Sequence, residues 1–378
     1  MAQRVADALV VGLGVMGAAV TAALARRGLD IIGFDQYTPP HHHGSSHGQT
    51  RLLRTAYVEG DIYVPLIKRT IDGWRELEAE TGEDLFHQSG IVYLGGPTST
   101  LLRDLNAARA RHDLPLETLD TDLLSDEPLQ DGWQAYLECA AGFVRCEPAV
   151  RALHQVAQRA GASLFFNQPL SVSDTATGTF HIRTQTESFE APLLFVCVGP
   201  WFGAFMATSF PHLVPIPTIL ERRSLHWYRA GQNHTLAAGF RPFCIDLGTD
   251  GWLYGFPALD GKVKVSNHHL GMTVDTPHAN ADTLLAQHRK KMAPWVTRHL
   301  PSLGPEETAS TCLYTTSPDT DFILGPHPEN RGLILATGFS GHGFKFAPVI
   351  GEMLAETSND NALAGIPAAL RPNRFFPS

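Results

Sequence analysis

The chain has 378 residues, of which 43% are hydrophobic and 18% charged, a composition typical of a globular protein with room for one large or two moderate cores. The net charge of −9 argues against nucleic acid as a main partner, because phosphate binding depends on concentrated lysine and arginine. No apolar run reaches the roughly 20 residues that span a bilayer, and we expect neither a signal peptide nor a lipid anchor, hence no membrane partner.

The first forty residues carry the clearest pattern of the chain. An apolar run over residues 8–11 predicts a short buried strand, and three glycines follow it with GxGxxG spacing, namely Gly12, Gly14 and Gly17. An alanine-rich helix is expected up to about Arg27, and a second strand ends at Asp35. Such glycines let the backbone approach a pyrophosphate, and an acid at this distance accepts hydrogen bonds from a ribose. The pattern predicts dinucleotide binding without choosing between NAD and FAD.

The next segment, HHHGSSHGQTRLLR over residues 41–54, is open to four interpretations. The four are a remnant of an expression tag, a metal site, a disordered polar loop and a part of the cofactor pocket. Three consecutive histidines do not converge on one ion as a helical i, i+4 pair does, so we expect no metal.

The remaining pattern alternates helices with strands. We expect helices over residues 63–82, 101–114, 148–161 and 283–300, strands over 89–96, 162–167 and 193–198, a β-meander over 169–190, a β-rich region over 220–270, and a strand, glycine turn and helix over 333–356. Features of a nucleotide-binding domain therefore recur at the start, near 190–200 and near 333–355. This recurrence predicts two interleaved domains of the α/β (α+β) class.

Five cysteines lie far apart, without CxxC spacing: Cys139, Cys146, Cys197, Cys244 and Cys312. An odd number without an export signal predicts reduced thiols and a cytoplasmic location. One of the five is open to a chemical role.

Four segments together resemble the FAD-dependent amine oxidases of the monomeric sarcosine oxidase and N-methyltryptophan oxidase family, which are of the DAO type. They are the glycine-rich N-terminus, PPHHHGSSHGQTRLLR, YGFPALDGKVKVSNHH, and TCLYTTSPDTDF with GFSGHGFKF. The resemblance runs from about residue 7 to 355 and implies FAD, a p-hydroxybenzoate-hydroxylase-like fold and a monomer. It also implies the oxidation of a secondary amino acid by oxygen. PPHHHGS and SPDTDF are slightly nearer the N-methyltryptophan oxidase branch.

The resemblance also suggests domain limits. A Rossmann-like FAD-binding domain is expected over residues 1–85, 147–213 and 316–378. A β-sheet-rich substrate domain is expected over residues 86–146 and 214–315.

Residue roles follow from the resemblance at matching positions. It implies that Cys312 is joined covalently to the flavin, that Arg54 and Lys345 hold the substrate carboxylate, and that Lys264 promotes the reaction with oxygen. His268, Tyr254 and Tyr314 are expected in the substrate cavity, and Arg51 beside the flavin ring. The other expected cofactor contacts are Gly12, Gly14, Gly17, Asp35, His47, Gly48, Thr50, Gly199, Gly341, His342, Gly343, Phe344 and Lys345.

Plainer interpretations of the same residues exist. Cys312 is otherwise a small buried hydrophobe, Tyr254 and Tyr314 are core tyrosines, and Gly199 is a plain strand end. On pattern alone, the polar face of the strand KVKVSNH is solvated. His41 and His42 are expected to face solvent, and Arg54 to lie one helical turn beyond Arg51.

The sequence departs from the family pattern at three positions. Gln49 stands where HGDTR is common, Thr55 where R-x-x-R-H is common, and Val58 where glycine is common. Since all three are expected near the flavin and the substrate, they put the identity of the substrate in doubt. The candidates are an amino acid like N-methyltryptophan, one like sarcosine, and a cyclic amine such as pipecolate or proline. A flavin dehydrogenase with another electron acceptor, an NAD-dependent dehydrogenase and a non-catalytic sensor are the rival functions.

Overall fold

The structure is a computed structural model that describes residues 3–57, 60–119, 132–174, 178–358, 363 and 365–376. Val58, one of the three departures, lies outside the described residues.

The described residues form 22 strands and seven α-helices. The strands are β1 Gln3–Val5, β2 Ala8–Val11, β3 Ile31–Phe34, β4 Thr50–Leu53, β5 Phe86–His87, β6 Ile91–Gly95, β7 Leu116–Leu119, β8 Gln134–Glu138, β9 Gly142–Arg145, β10 Ser163–Phe165, β11 Ser171–Asp174, β12 Phe180–Arg183, β13 Ser188–Ala191, β14 Leu193–Val196, β15 Ile219–Arg229, β16 Phe243–Asp246, β17 Trp252–Gly255, β18 Lys262–Asn267, β19 Gly271–Thr273, β20 Glu306–Thr316, β21 Ile323–His327 and β22 Asn330–Thr337. The α-helices are α1 Val15–Arg26, α2 Val64–Thr81, α3 Thr100–His112, α4 Cys146–Arg159, α5 Phe202–Ser209, α6 Ala281–His299 and α7 Ala347–Ala355.

A six-stranded sheet in the order β10-β3-β2-β14-β22-β21 forms one half of the molecule. Its strands run parallel except β21, which is antiparallel to β22. The strands come from the beginning, the middle and the end of the chain, so the recurrence of nucleotide-domain features has a structural basis.

The two faces of this sheet are covered differently. Ala8 and Val10 of β2 pack in a cluster with α1, α4 and α7. Leu9 and Val11, which alternate with them, pack with residues of the meander β11–β13. Because both faces are buried, β2 has the continuous apolar pattern typical of a parallel strand.

A nine-stranded sheet forms the other half. Its path is β19-β15-β18-β17-β16-β6-β8-β7, and β20 pairs with β15. Met292 and Val296 of α6 pack on one face, and Leu101 and Leu105 of α3 pack in a separate cluster with residues of β6. Val263 and Val265 of β18 belong to the α6 cluster, and on the opposite face of β18 Lys264 contacts the carbonyls of Gly48 and Thr50. β18 is therefore buried on both faces, and the expectation that Lys264 and Ser266 face solvent is wrong: they are 3% and 1% exposed.

A small sheet, β4-β9-β5, carries the arginine segment. Thr50 pairs with Arg145 and Leu53 with Gly142 in antiparallel register. The expectation that Arg54 lies one helical turn beyond Arg51 is therefore wrong, because Arg51 sits in a strand and Arg54 directly follows it.

Most predicted helices are found within a few residues of their expected bounds. α2 ends at Gly82, whose φ of 74° requires the left-handed conformation that glycine adopts easily. After the glycines that follow β22, a 3-10 turn over Phe344–Phe346 precedes α7, so the α-helix begins later than its glycine-rich approach. Among the described residues, no helix has the length and apolarity needed to cross a bilayer.

Candidate functional site

A cavity of about 590 Å³ opens at the carboxyl ends of the central strands. Its wall includes Gly12 after β2, Asp35 after β3, Gly199 after β14, and Gly341 and Phe344 after β22. Crevices at this edge of a parallel sheet are where dinucleotides bind in such folds.

Two of the three glycines around the start of α1, Gly12 and Gly17, have no space for a side chain. Gly12 has φ +87°, and a Cβ there would lie 2.5 Å from the Cys197 carbonyl oxygen. A Cβ on Gly17 would lie 1.7 Å from the Gly12 carbonyl oxygen, so Gly17 packs the helix against the strand and does not line the cavity. Gly14 lines the cavity at the N-terminus of α1, where backbone amides favour a phosphate. This backbone fits the pyrophosphate of FAD.

Asp35 is held in place by the backbone around it. Its carboxylate accepts hydrogen bonds from the backbone amides of Leu13 and Tyr37, each at 2.8 Å. The side chain is buried and lines the cavity, where its remaining lone pairs are suited to a ribose hydroxyl.

The segment 41–54 contributes Arg51 to this cavity, as expected, but its other contributing residues differ from those expected. His41, Gly44, Ser45 and Ser46 line it, whereas His47, Gly48 and Thr50 are not among its described lining residues. The expectation that His41 faces solvent is wrong: its ring packs edge-on against Tyr37 and Trp201, with centroids 4.9 and 6.4 Å away. His42 is exposed, as expected. Among the described residues, no group of histidine, cysteine or acidic side chains has the geometry of a metal site.

His47 is buried in the layer behind that wall. Burial and the neighbouring charge of Arg51 lower the pKa of His47 to about 3, so its ring is neutral at physiological pH. Its Nε2 has no hydrogen-bond partner among the described residues.

Arg51 lies between two cavities. Its guanidinium donates to the carbonyls of Thr50 at 2.9 Å and Ser45 at 3.0 Å, and its Cζ lies 5.9 Å from the centre of the Phe344 ring. It lines both the large cavity and a second, smaller one of about 70 Å³.

The second cavity brings together most of the predicted substrate-binding residues. Both cavities share Arg51, Tyr314, Gly341 and Phe344 in their walls, and the described lining of the smaller one is completed by Leu52, Arg54, Cys244, Trp252, Tyr254, Phe256, His268, His342 and Lys345. His342, expected at the cofactor, therefore lies on the substrate side. The four shared residues show that the two cavities are adjacent.

Two buried cations lie in the smaller cavity. Arg54 is 7% exposed and Lys345 is 4% exposed. Lys345 Nζ donates to the His342 carbonyl at 2.7 Å and to the Tyr57 hydroxyl at 3.3 Å. Arg54 Cζ lies 5.4 Å from the centre of the same Tyr57 ring. Positive charge in so small a space suits an anionic group of a ligand.

Lys264 is a third buried cation, behind the arginine strand. Its Nζ donates to the carbonyls of Gly48 and Thr50, both at 2.6 Å, and lies 4.2 Å from the centre of the Phe256 ring. Burial, reinforced by the charge of Arg51, lowers the pKa of Lys264 to about 7. The lysine is thus able to change charge near neutral pH.

Tyr254 and Tyr314 both line the smaller cavity, and Tyr254 stands opposite Ser266 of β18 in antiparallel register. Burial raises the pKa of both tyrosines. His268 follows the end of β18, with its ring 6.0 Å from that of Tyr314.

Cys312 lies next to the large cavity without being among its described lining residues. Its strand neighbours Leu313 and Tyr314 line that cavity, and the thiol is 2% exposed. Burial raises the pKa of Cys312, and the positive charge of Arg51 opposes this rise. All five cysteines are free thiols.

The departures Gln49 and Thr55 each have a structural partner. Gln49 has a backbone φ of 68°, and its backbone amide donates to the Glu147 carboxylate at 3.1 Å. Its side-chain oxygen accepts a hydrogen bond from Trp227 Nε1 at 2.7 Å. The Thr55 amide and hydroxyl both donate to Glu138. One carboxylate therefore holds the chain before β4 and another holds it after β4.

Three further residues of this region were not predicted from the sequence: Tyr57, Trp252 and Glu138. Trp252 stands two residues before Tyr254, so the alternation of a strand would have placed both on one face. No sequence signal pointed to Glu138, which is fully buried and contacts the arginine segment only because β8 packs there.

Comparison with known proteins agrees with this geometry. Residues 7–357 match the family model of FAD-dependent oxidoreductases named DAO. An N-methyl-L-tryptophan oxidase of Yersinia pestis (strain Pestoides F) is 31% identical over 359 residues, which cover 94% of this chain and 95% of that protein.

Solved structures share the fold. NikD, an unusual amino acid oxidase of nikkomycin biosynthesis, superposes with a TM-score of 0.83 at 21% identity, covering 96% of this chain and 95% of that one. L-proline dehydrogenase from P. horikoshii superposes with a TM-score of 0.84 at 18% identity, covering 99% and 98%. The predicted fold class is confirmed. The chain belongs to the DAO-type family of FAD-dependent oxidoreductases, with the N-methyl-L-tryptophan oxidases among its relatives.

Proposed function

We propose that the protein is an FAD-dependent oxidase of N-methylated amino acids that uses oxygen as its electron acceptor. The substrate loses two electrons and two protons, which reduce oxygen to hydrogen peroxide. Water then adds to the resulting C=N bond, so that formaldehyde and the primary amino acid are released. The name of the Yersinia relatives supports this reaction.

One observation carries the proposal. Arg54 and Lys345 are both buried in a cavity that shares four wall residues with the dinucleotide cavity. An amino acid whose carboxylate binds these cations would have its amine directed toward the shared wall. Orientation of this kind contributes strongly to rate without any nucleophile or metal from the protein.

The chain's residues then divide into holding and reacting groups. FAD, when bound, supplies the two-electron chemistry. Gly12, Gly14 and Asp35 hold its dinucleotide, while Gly199 and residues 341–344 lie along the rest of its cavity. Tyr254, Tyr314 and His268 enclose the amine, and Lys264 with Arg51 supplies positive charge for the reduction of oxygen. His47, Gly48 and Thr50 support these groups from behind.

A substrate panel tests the proposal. The purified protein, with its flavin spectrum recorded, is incubated with N-methyl and cyclic amino acids while oxygen uptake and peroxide are measured. We expect stoichiometric peroxide and formaldehyde from N-methyl substrates. Turnover with an artificial dye but not with oxygen would identify a dehydrogenase, and no turnover with either acceptor would refute the function.

We also propose that Cys312 forms a thioether with a methyl carbon of the flavin: the thiol S–H and one C–H bond break as the C–S bond forms, and the two electrons and two protons released reduce oxygen to hydrogen peroxide. The wild-type protein should keep its yellow colour in the pellet after acid precipitation, and Cys312→Ser should release it. Cys146→Ser, which removes another buried thiol that is not among the described lining residues of the large cavity, is the matched control and should retain the colour. Colour released from the wild type would contradict the covalent bond.

A further inference from the structure

We infer that Trp252 closes the substrate cavity against large side chains, so that the protein acts on secondary amino acids whose side chain is hydrogen or methyl. The inference rests on the proposed function and narrows its substrate class. It separates this chain from relatives whose name specifies a tryptophan derivative.

The cavity itself is small. Its volume of about 70 Å³ is room for about five water molecules, whereas pockets for drug-sized ligands span roughly 300–1,000 Å³. N-methylglycine is a molecule of the size this space accepts once its carboxylate has reached Arg54 and Lys345. An indole substituent is by itself larger than all of N-methylglycine.

The indole of Trp252 takes up the space beside the cations. Its ring stacks on His268 with centroids 5.7 Å apart and an interplanar angle of 15°, and Arg54 Cζ lies 6.0 Å from its centre. Trp252 lines the cavity and is half-buried, so its side chain forms part of the cavity wall. A substrate side chain extending from Arg54 toward His268 would meet this ring.

Hydrogen bonds fix the chain around Trp252, and two histidine rings contact its indole. The His268 amide donates to the Trp252 carbonyl at 2.9 Å. Asn267, which is 2% exposed, links the residues before β17 to those after β18. Its side-chain Nδ2 donates to the Asp250 carbonyl at 2.8 Å, and its side-chain oxygen accepts from the His269 backbone amide at 2.9 Å. His269 also contacts the Trp252 ring edge-on at 4.9 Å. Rotating the indole away would break its contacts with the rings of His268 and His269, so the wall behaves as a fixed size limit.

Ligand binding tests the size limit without turnover. The flavin absorbance of the holoenzyme is titrated with propanoate and indole-3-propanoate, which differ only in the indole. We expect the wild type to bind indole-3-propanoate at least about tenfold more weakly than propanoate, a degree of discrimination that pockets achieve by excluding a larger group. Trp252→Ala should remove this difference, and Trp252→Phe should keep part of it. Trp133→Ala, which removes an indole packed against His299 at 5.5 Å, should leave it unchanged.

Turnover supplies the second arm. Wild-type kcat/KM should be higher for N-methylglycine and N-methyl-L-alanine than for N-methyl-L-tryptophan, and Trp252→Ala should move this ratio toward the larger substrate. Equal or tighter binding of indole-3-propanoate by the wild type overturns the inference, even if the variants lose their flavin. Discrimination kept in Trp252→Ala overturns it as well. Size discrimination without turnover of any secondary amino acid would refute the proposed function and leave the size limit standing.

Discussion

The two cavities of this molecule are built in different ways. The larger one opens at the ends of parallel strands, where residues without a side chain, Gly12, Gly14 and Gly341, stand in its wall. The smaller one is formed mainly by side chains, with Arg54 and Lys345 reaching it from distant parts of the chain. The larger cavity therefore depends on residues that must be small, whereas the smaller cavity depends on the packing that brings distant strands together.

This difference predicts how each cavity fails. A change in the glycine cradle should remove the cofactor altogether, because backbone cannot move aside cheaply. A change in the smaller cavity should leave the cofactor bound and alter recognition of the substrate. The following variants test that contrast.

The largest effect is expected from Gly12→Ala. The new Cβ would lie 2.5 Å from the Cys197 carbonyl oxygen, at φ +87°. Gly28→Ala is the matched control, since it has φ +81° with no atom within 4 Å of the new Cβ, and should cost about 1–2 kcal/mol for the left-handed conformation alone. We expect Gly12→Ala to lose nearly all bound flavin by absorbance at equal protein concentration, while Gly28→Ala keeps it. Equal flavin content in the two variants would contradict the importance of the close approach.

Removal of a substrate cation should act on binding. Arg54→Leu should raise KM about 100-fold while flavin content stays normal, because losing one partner of a buried charge pair costs roughly 2–5 kcal/mol. Arg222→Leu is the control: Arg222 is also buried, and it donates to the Ala279 carbonyl at 2.9 Å, outside the small cavity. Steady-state kinetics should show an unchanged KM for Arg222→Leu with lower thermal stability. A normal KM in Arg54→Leu would rule out the carboxylate clamp.

The contrast also explains what could be predicted from the sequence. Gly12, Gly14 and Asp35 follow apolar strands at fixed spacing, so local pattern located the dinucleotide cavity. Lys264 is different: its strand alternates like a solvated one, yet both faces of β18 are buried, and only the family resemblance indicated a role. Trp252 and Glu138 were missed because their position depends on how β17 and β8 pack in the nine-stranded sheet, which local pattern does not determine.

Lys264 should give the reaction with oxygen a dependence on pH. Burial and Arg51 lower its pKa to about 7, so the positive charge is present below that pH and is lost as the pH rises through it. We expect oxygen consumption in single-turnover experiments to become slower as the pH rises through about 7. Lys264→Met should be about 100-fold slower and independent of pH in this range, and Lys264→Arg should keep the charge at higher pH. Lys262→Met, on the same strand with a side chain 36% exposed, is the control and should behave as wild type. A pH profile that Lys264→Met leaves unchanged would exclude this role.

The smallest effect is expected where Thr55 meets Glu138. Glu138 is fully buried and also accepts from the Ala56 amide and the Tyr93 hydroxyl, both at 2.6 Å. Burial and the charge of Glu138 raise the pKa of Tyr93, so this hydroxyl keeps its proton and remains a donor. Since three of the four hydrogen bonds survive in Thr55→Val, the loss is about 1 kcal/mol.

We therefore expect Thr55→Val to raise KM about fivefold with kcat unchanged, and Thr55→Ser, which restores the hydroxyl, to return it to the wild-type value. A merely structural role would lower the melting temperature in Thr55→Val without moving KM. That outcome would show that the side-chain network around Arg54 tolerates the loss of a member, and the contrast between the two cavities would then rest on the cations alone.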